Sequence, residues 1–254
     1  MADESADARS AKEPRERDAE RERTDDPVLV EKTWVYRTCW TGAWLYTKLY
    51  HRLRVEGFEN VPKEGGAVLA SNHQSHLDIL TIAACNRRHV AFVARDTLAN
   101  WKWLAFTMRG CGAVLVQRNS SDRKALRAMA QHLERGDLVV IFPEGTRSPD
   151  GRMYRGRTGG MRVALPLGVP IIPAAVTGAH GSGPRWTWGK GTSQRITVTY
   201  LPPLDTSPWV GREDDPQAWR EATEALMARI REVTGQEYAD RYPTAEELHA
   251  RDDR

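Results

Sequence analysis

The chain has 254 residues, enough to bury a sizeable core in one domain with extensions. Its formal net charge of +3 is unevenly spread, because residues 28–211 carry 24 Lys+Arg against 12 Asp+Glu while both ends are acidic. A basic body favours an anionic partner, such as a phosphorylated small molecule, a lipid surface or a nucleic acid. Charge alone does not choose among these partners.

Hydropathy and cysteine usage restrict where the chain is expected to work. No apolar run is long enough to span a bilayer, so any membrane association is expected at the surface. The three cysteines, Cys39, Cys85 and Cys111, show no paired spacing, and no secretory signal precedes them. This pattern is typical of a reduced, cytosolic environment.

The N-terminal part divides into a charged arm and an aromatic segment. Residues 1–27 are mainly Ala, Arg, Asp and Glu and are predicted to be disordered. Residues 28–53 are predicted to be helical, with Arg37 and Lys48 on the same side. The segment is crowded with Trp34, Tyr36, Trp40, Trp44, Tyr46 and Tyr50. Such a helix favours docking at lipid headgroups; the alternative is an aromatic face packed on the protein core.

Short apolar runs alternate with segments of helical spacing along the rest of the chain. Strands are predicted at residues 67–71, 90–94, 113–116, 138–142, 171–176 and 196–200, the last at a sheet edge. Helices are predicted at 79–85, 121–135, 160–168 and 218–233. The alternation predicts an α/β fold with a mostly parallel central sheet flanked by helices, preceded by the aromatic amphipathic helical segment.

A histidine and a carboxylate follow the predicted strand at 67–71. His73 and Asp78 stand between this strand and the helix at 79–85, at the sheet edge where open α/β sheets bind ligands. A carboxylate can fix the tautomer of a neighbouring imidazole and stabilise its charged form. The pair therefore has the chemistry needed to take a proton from a hydroxyl.

Two other interpretations of these residues stay open at this point. Ser75 and Asp78 match a helix capping box, which would make Asp78 structural and is compatible with catalysis. His73, His76 and Asp78 also resemble part of a metal-ligand set. No second histidine-rich motif supplies the remaining ligands, so no metal is expected.

Arginines follow the ends of several predicted strands. Arg118 ends one strand, residues 142–148 leave another, and Arg157 lies in the segment after that. Arginine forks bind phosphate oxygens in a bidentate manner, and glycine lets the backbone approach a ligand closely. The repeated position predicts one shared anion site, although each arginine alone is consistent with a surface residue or a salt-bridge partner.

Signatures of several other protein classes are absent from the sequence. There is no Gly-x-Ser-x-Gly elbow, no Gly-Lys-Ser/Thr phosphate loop, and no Gly-x-Gly-x-x-Gly after a strand. A serine hydrolase, a nucleoside triphosphate and a dinucleotide are therefore unsupported. No nucleic acid partner is expected, because the basic residues fall in substrate-type loops without a recognised binding motif.

Four blocks of sequence together closely resemble the glycerolipid acyltransferases, specifically the 1-acyl-glycerol-3-phosphate (lysophosphatidic acid) acyltransferase family. They are Asn72–Asp78, which has the family's His-x4-Asp pattern, Gly112–Arg118, Phe142–Ser148 and Val169–Pro173. The resemblance spans roughly residues 54–205. Four blocks in order are far more specific than any one of them.

The resemblance implies transfer of a fatty acyl group from acyl-CoA or acyl-ACP, the acyl carrier protein, to a lysophospholipid hydroxyl. The expected acceptor is 1-acyl-glycerol-3-phosphate, and the product is phosphatidic acid. His73 would be the catalytic base and Asp78 its orienting group, with no metal, cofactor or acyl-enzyme. The implied acceptor-binding residues are Arg118, Glu144, Gly145, Thr146, Arg147 and Arg157. Backbone amides near the fourth block are a hypothesis for oxyanion stabilisation.

The resemblance also implies a division of the chain. Residues 54–235 would be the acyltransferase domain, and residues 28–53 would hold it peripherally on the cytoplasmic face of the cell membrane. Residues 236–254 form a charged C-terminal tail that is predicted to be loose.

The sequence departs from the family in two places and leaves other functions open. Gln117 stands where the family often has an acidic residue, and arginine-rich sequence at 154–159 leaves Arg157 nearest the usual lysine. The alternatives are an acyltransferase acting on another lysolipid or glycerol-3-phosphate, a catalytically silent membrane-binding module, and a metal-dependent hydrolase.

Overall fold

The computed structural model describes residues 34–86, 88–95, 113–116, 122–180 and 194–252. The predicted arm at residues 1–27 therefore lies outside the described residues. The helices are α1 (Trp34–Leu49), α2 (Leu77–Cys85), α3 (Asp122–Glu134), α4 (Met161–Leu167), α5 (Pro216–Thr234) and α6 (Ala245–Asp252). The strands are β1 (Arg54–Glu56), β2 (Ala67–Ser71), β3 (Val90–Arg95), β4 (Ala113–Val116), β5 (Leu138–Ile141), β6 (Met153–Tyr154), β7 (Ile171–Thr177), β8 (Thr197–Tyr200) and β9 (Tyr238–Ala239).

The central sheet has the strand order β1-β8-β7-β2-β5-β3-β4. The strands β7, β2, β5, β3 and β4 run parallel, whereas β8 pairs antiparallel with β7 and parallel with β1. Every residue of β2 is buried, as expected of a central strand covered on both faces. One face packs on α1 and α2, and the other packs on α3, α4 and α5. The predicted α/β fold with a mostly parallel sheet is confirmed.

The predicted edge position of residues 196–200 is wrong. The strand β8 lies between β7 and β1, so β1 forms the edge. β1 ends after three residues because Gly57 follows it with a φ of 65°. A Cβ at Gly57 would lie 2.0 Å from the carbonyl oxygen of Tyr200, so only glycine permits this close approach. β1 pairs with the outer side of β8, a contact between distant segments that no local sequence pattern indicates.

The C-terminal segment is ordered, which differs from the predicted loose tail. β9 pairs with β6, and α6 follows it. Thr244 and Glu247 form a reciprocal cap, because each backbone N–H donates to the other side chain, at 2.8 Å and 3.3 Å. Arg241 donates to both oxygens of Glu247. The charged residues of this segment therefore hydrogen-bond with one another at the start of a folded helix. The Thr-x-x-Glu spacing at 244–247 is the sequence signal of this cap.

The helix α1 has one packed face and one exposed face. The indole Nε1 of Trp40 donates to the carbonyl oxygens of Ala83 and Asn86 at 3.1 Å and 2.7 Å, which docks α1 on α2. On the opposite face Trp34 is 75% exposed and Leu49 is 74% exposed. Among the described residues, no helix is both long enough and apolar enough to cross a bilayer.

Candidate active site

The carboxyl ends of β2 and β5 meet at one edge of the sheet. These strands are parallel neighbours, and Ala70 pairs with Ile141. The loop after β2 carries residues 72–78, and the loop after β5 carries residues 142–148. The topology therefore joins two distant sequence blocks at the edge where parallel sheets bind ligands.

His73 and Asp78 contact each other at this edge. His73 Nδ1 lies 2.9 Å from Asp78 Oδ2, and the Asp78 side chain is fully buried while 13% of the His73 side chain is exposed. A carboxylate at Nδ1 keeps that nitrogen as a donor and leaves Nε2 to accept a proton. The pair therefore has the geometry of a general base and its orienting acid.

Asp78 also holds the loop that leads into α2. Its Oδ2 accepts the backbone N–H groups of Gln74 and Ser75 at 2.6 Å and 2.8 Å. Ser75 Oγ in turn accepts the N–H of Leu77 at 3.2 Å. The N-cap position of α2 is His76, without a side-chain cap bond, so these contacts hold the loop before the helix instead of forming the predicted capping box. They also fix the carboxylate that contacts His73, so a structural and a catalytic role of Asp78 are compatible.

Neighbouring strands fix the position of His73 from both sides. Its ring stacks on Phe142 with centroids 4.0 Å apart, and its carbonyl oxygen accepts the N–H of Ser148 at 2.7 Å. The preceding residue, Asn72, bonds both backbone groups of Val176 on β7, at 2.8 Å and 2.9 Å. His73 is therefore held on the rigid sheet, which a site of fixed geometry needs.

Glu144 is predicted to contact the acceptor, but it is only 1% exposed. Its two oxygens accept the backbone N–H groups of His73 and Tyr154, both at 3.0 Å. Burial raises the pKa of Glu144 to about 7, the charge of Asp78 adds to this, and the two N–H donors oppose it. These contacts make Glu144 a positioning residue that joins the backbone of His73 to β6.

Gly145 and Arg157 lie against each other. Gly145 has a φ of 72°, and a Cβ there would lie 2.8 Å from Arg157 Nε. The glycine therefore permits both the turn and the close approach of the arginine. The Arg157 guanidinium also lies 4.9 Å from the ring centroid of Tyr242, a cation–π distance.

Thr146 and Arg147 contact α6. Arg251 Nη1 donates to Thr146 Oγ1 at 3.0 Å and to the carbonyl oxygen of Arg147 at 2.8 Å. The structure thus brings four of the six predicted acceptor residues, 144–147, to the side of His73, with Arg157 packed on Gly145. Arg118, together with Gln117, lies outside the described residues.

Comparison with known proteins assigns this arrangement to a family. A family model described as Acyltransferase matches residues 52–177, which include both loops. Residues 52–177 belong to the acyltransferase family.

Several relatives of the chain are named as 1-acyl-sn-glycerol-3-phosphate acyltransferases. The chain is 32% identical over 142 residues to the chloroplastic 1-acyl-sn-glycerol-3-phosphate acyltransferase LPAT1 of Arabidopsis thaliana, covering 55% of this chain but only 39% of that protein. It is 26% identical over 201 residues to the 1-acyl-sn-glycerol-3-phosphate acyltransferase of Bacillus subtilis, covering 78% of this chain and 96% of that protein. The crystal structure of the 1-acyl-sn-glycerophosphate (LPA) acyltransferase PlsC of Thermotoga maritima aligns with a TM-score of 0.62 and 26% identity, over 84% of this chain and 82% of that one.

The fourth block, Val169–Pro173, runs from just before β7 towards the sheet edge at which His73 lies. Residues 169–170 precede β7, and Ile171 pairs with Val68 near the start of β2. Pro173, the last residue of the block, pairs with Ala70 near the end of β2, and His73 follows that end. Stabilisation of the oxyanion by backbone amides near the fourth block stays a prediction.

Sequence reasoning missed two polar residues beyond the matched region of the acyltransferase. Gln236 accepts from Asn72 Nδ2 at 3.0 Å and donates to the carbonyl oxygen of Gly151 at 2.8 Å. Arg251 reaches Thr146 from the last described helix. Neither residue stands in a recognisable motif, so only the tertiary structure shows its place beside the site.

Proposed function

We propose that this protein transfers a fatty acyl group from acyl-CoA or acyl-ACP to the free hydroxyl of a lysophospholipid, with 1-acyl-glycerol-3-phosphate as acceptor and phosphatidic acid as product. The observation that carries the proposal is the 2.9 Å contact between His73 Nδ1 and the buried Asp78, beside the loop at 142–148. The names of the relatives support the acceptor.

In the proposed reaction His73 Nε2 takes the proton of the acceptor hydroxyl as its oxygen attacks the thioester carbonyl carbon. The tetrahedral intermediate then collapses, the carbon–sulfur bond breaks, and the imidazolium returns the proton to the departing thiolate. Asp78 stabilises the imidazolium between these two steps. The products are the acylated lipid and a free thiol on CoA or the carrier protein, so no cofactor is consumed.

The acceptor phosphate is proposed to bind the arginines of the anion site. Arg147 sits in the same loop as Glu144, whose carboxylate holds the backbone of His73. Arg157 lies against that loop at Gly145, and Arg118 is expected to follow β4 at the same edge. Guanidinium groups next to the base would hold the phosphate while the hydroxyl faces Nε2.

Arg147→Ala is expected to raise KM for 1-acyl-glycerol-3-phosphate by roughly 10- to 100-fold, because a charge-assisted hydrogen bond contributes about 1.5–3 kcal/mol. The value of kcat should change much less. Initial rates across acceptor concentrations, with acyl-CoA in excess, would measure both. Lys63→Ala is the matched control, because this exposed cation precedes β2 at the opposite sheet edge. An unchanged KM would contradict a phosphate contact.

The exposed face of α1 is proposed to dock on the cytoplasmic face of the cell membrane. It presents Trp34, Trp44, Leu45 and Leu49, together with the exposed cations Arg37 and Lys48. Indole rings suit the headgroup layer, and the two cations suit anionic lipid. Because α1 packs on α2, which begins just after His73, docking would place the site near its lipid substrate.

Replacing Trp34, Trp44 and Leu49 together by alanine is expected to weaken binding to vesicles containing phosphatidylglycerol by at least about tenfold, through lost apolar burial. Co-sedimentation would measure it. Val210→Ala is the control, because Val210 is also 74% exposed but lies in a different turn. Equal losses in the two proteins would argue against α1 as the docking surface.

Release of free thiol separates the proposed function from its rivals. An acyltransferase releases CoA only when a suitable acceptor is present, a thioester hydrolase releases it without one, and a silent membrane-binding module releases none. A panel of 1-acyl-glycerol-3-phosphate, other lysolipids and glycerol-3-phosphate, tested with both donor types, would also identify the acceptor.

Among the described residues, His73, His76 and Asp78 do not form a compact ligand group, which weighs against the metal-dependent hydrolase.

A further inference from the structure

A second cluster of chemically active side chains lies at the sheet edge opposite His73. His89 immediately precedes β3, and Asp137 immediately precedes β5. The two strands are neighbours, and the N–H of Leu138 donates to the carbonyl oxygen of His89 at 3.1 Å. His132, from the last turn of α3, completes the cluster. Three segments thus converge where the amino ends of the strands meet.

The ring nitrogens of the two histidines are incompletely satisfied. His89 is 6% exposed and His132 is 1% exposed. His132 Nδ1 lies 2.8 Å from Asp137 Oδ2, but its Nε2 has no hydrogen-bond partner among the described residues, and neither does any ring nitrogen of His89. His89 Nδ1 lies 3.2 Å from Asp137 Oδ1, yet the two are not aligned as a hydrogen bond. Leaving such groups unpaired in the interior is costly.

The spacing of the donor atoms matches the edges of a coordination shell. One ligand atom from each of the three residues lies within 4.8 Å of the other two. Donors about 2.0 Å from one ion lie roughly 2.8–3.3 Å apart in octahedral or tetrahedral geometry. His132 Nδ1 lies 2.8 Å from Asp137 Oδ2, and His89 Nδ1 lies 3.2 Å from the other carboxylate oxygen, Oδ1. Two imidazoles and one carboxylate form a donor set that suits zinc and similar ions.

We propose that His89, His132 and Asp137 bind one divalent transition-metal ion of the zinc class. The ion would tie α3 to β3 and β5 far from the acyl-transfer site, so its role is structural. Two guanidinium groups interact with this carboxylate: Arg135 Nε is 4.0 Å from Asp137 Oδ2, and the charge of Asp137 acts on Arg88. A single carboxylate therefore faces two guanidinium groups as well as the ion, so both imidazoles must bind as neutral ligands.

The test is a calorimetric titration of tag-free, full-length protein, stripped with a chelator, with ZnCl2. The expected result is one ion per chain with micromolar or tighter affinity, together with a higher melting temperature in zinc. His89→Gln and His132→Gln should each weaken binding by at least about 10- to 100-fold. His249→Gln is the matched control, an exposed histidine on α6. His73→Ala should also bind like the wild type, which excludes the acyl-transfer site as the source of the signal.

Two results would overturn the proposal. One is a wild-type protein that binds no stoichiometric zinc, which would leave the cluster as a hydrogen-bonded His–Asp–His network. The other is binding that His132→Gln leaves unchanged. The wild-type titration decides the question even if His89→Gln fails to fold. None of these outcomes depends on the acceptor or on the acyl donor.

Discussion

Replacing His73 by alanine is expected to lower the rate of acyl transfer by roughly 10²- to 10⁴-fold, the contribution typical of a positioned general base. The fold should survive, because the ring makes one stack with Phe142 and one contact with Asp78, while its backbone contacts to Glu144 and Ser148 remain. Thiol release with saturating acyl donor and 1-acyl-glycerol-3-phosphate would measure the rate.

Two controls separate catalysis from folding in this experiment. The far-ultraviolet circular dichroism and melting curve of the variant should match those of the wild type. His249→Ala, on the exposed surface of α6, should keep full activity. If His73→Ala transferred acyl groups at a near-normal rate, the assignment of the base would be incorrect.

Replacing Glu144 by alanine is expected to destabilise the protein by about 2–6 kcal/mol. The change removes the acceptor of two backbone N–H groups, those of His73 and Tyr154, and each buried donor left unpaired costs about 1–3 kcal/mol. Activity should fall as well, because the backbone of His73 loses its connection to β6. Urea unfolding monitored by tryptophan fluorescence would measure the free energy of unfolding.

The dependence of stability on pH distinguishes this role of Glu144 from simple space filling. Its pKa is raised from 4.5 to about 7, so between these values the folded protein holds a proton that the unfolded chain has released. The stabilising contribution of this proton is complete below pH 4.5 and is lost as the pH rises towards about 7. Glu144→Gln cannot titrate at this position. The free energy of unfolding of the wild type should therefore fall relative to that of the variant as the pH rises through this range. A difference that stays constant would contradict the raised pKa.

The sheet was predictable from the sequence because its strands are short, continuous apolar runs between helical segments. The segments at 67–71, 113–116 and 171–176 all became strands. Residues 67–71 and 171–176 are buried throughout, as expected of strands covered on both faces. The pairing of His73 with Asp78 was also predictable, because both lie in one short loop where spacing limits their separation.

Other features of the fold and the candidate site could not be predicted, because they depend on contacts between segments that are distant in the sequence. Glu144 stands in a block rich in polar residues, and only the tertiary structure shows its carboxylate turned inward to the backbone of His73. His89, His132 and Asp137 come together only because β3 and β5 are adjacent strands. The pairing of Pro173, at the end of the fourth block, with Ala70 likewise follows from strand register.

The bond from Arg251 to the loop at 146–147 has a consequence for how the enzyme matures during translation. The loop leaves β5 more than a hundred residues before Arg251 is added to the growing polypeptide. Because domains begin to fold from the N-terminus during synthesis, the sheet can assemble while the ribosome still holds α6. The loop at 146–147 gains its bonds to Arg251 only later, so a nascent chain that already carries a complete sheet would still lack these two contacts.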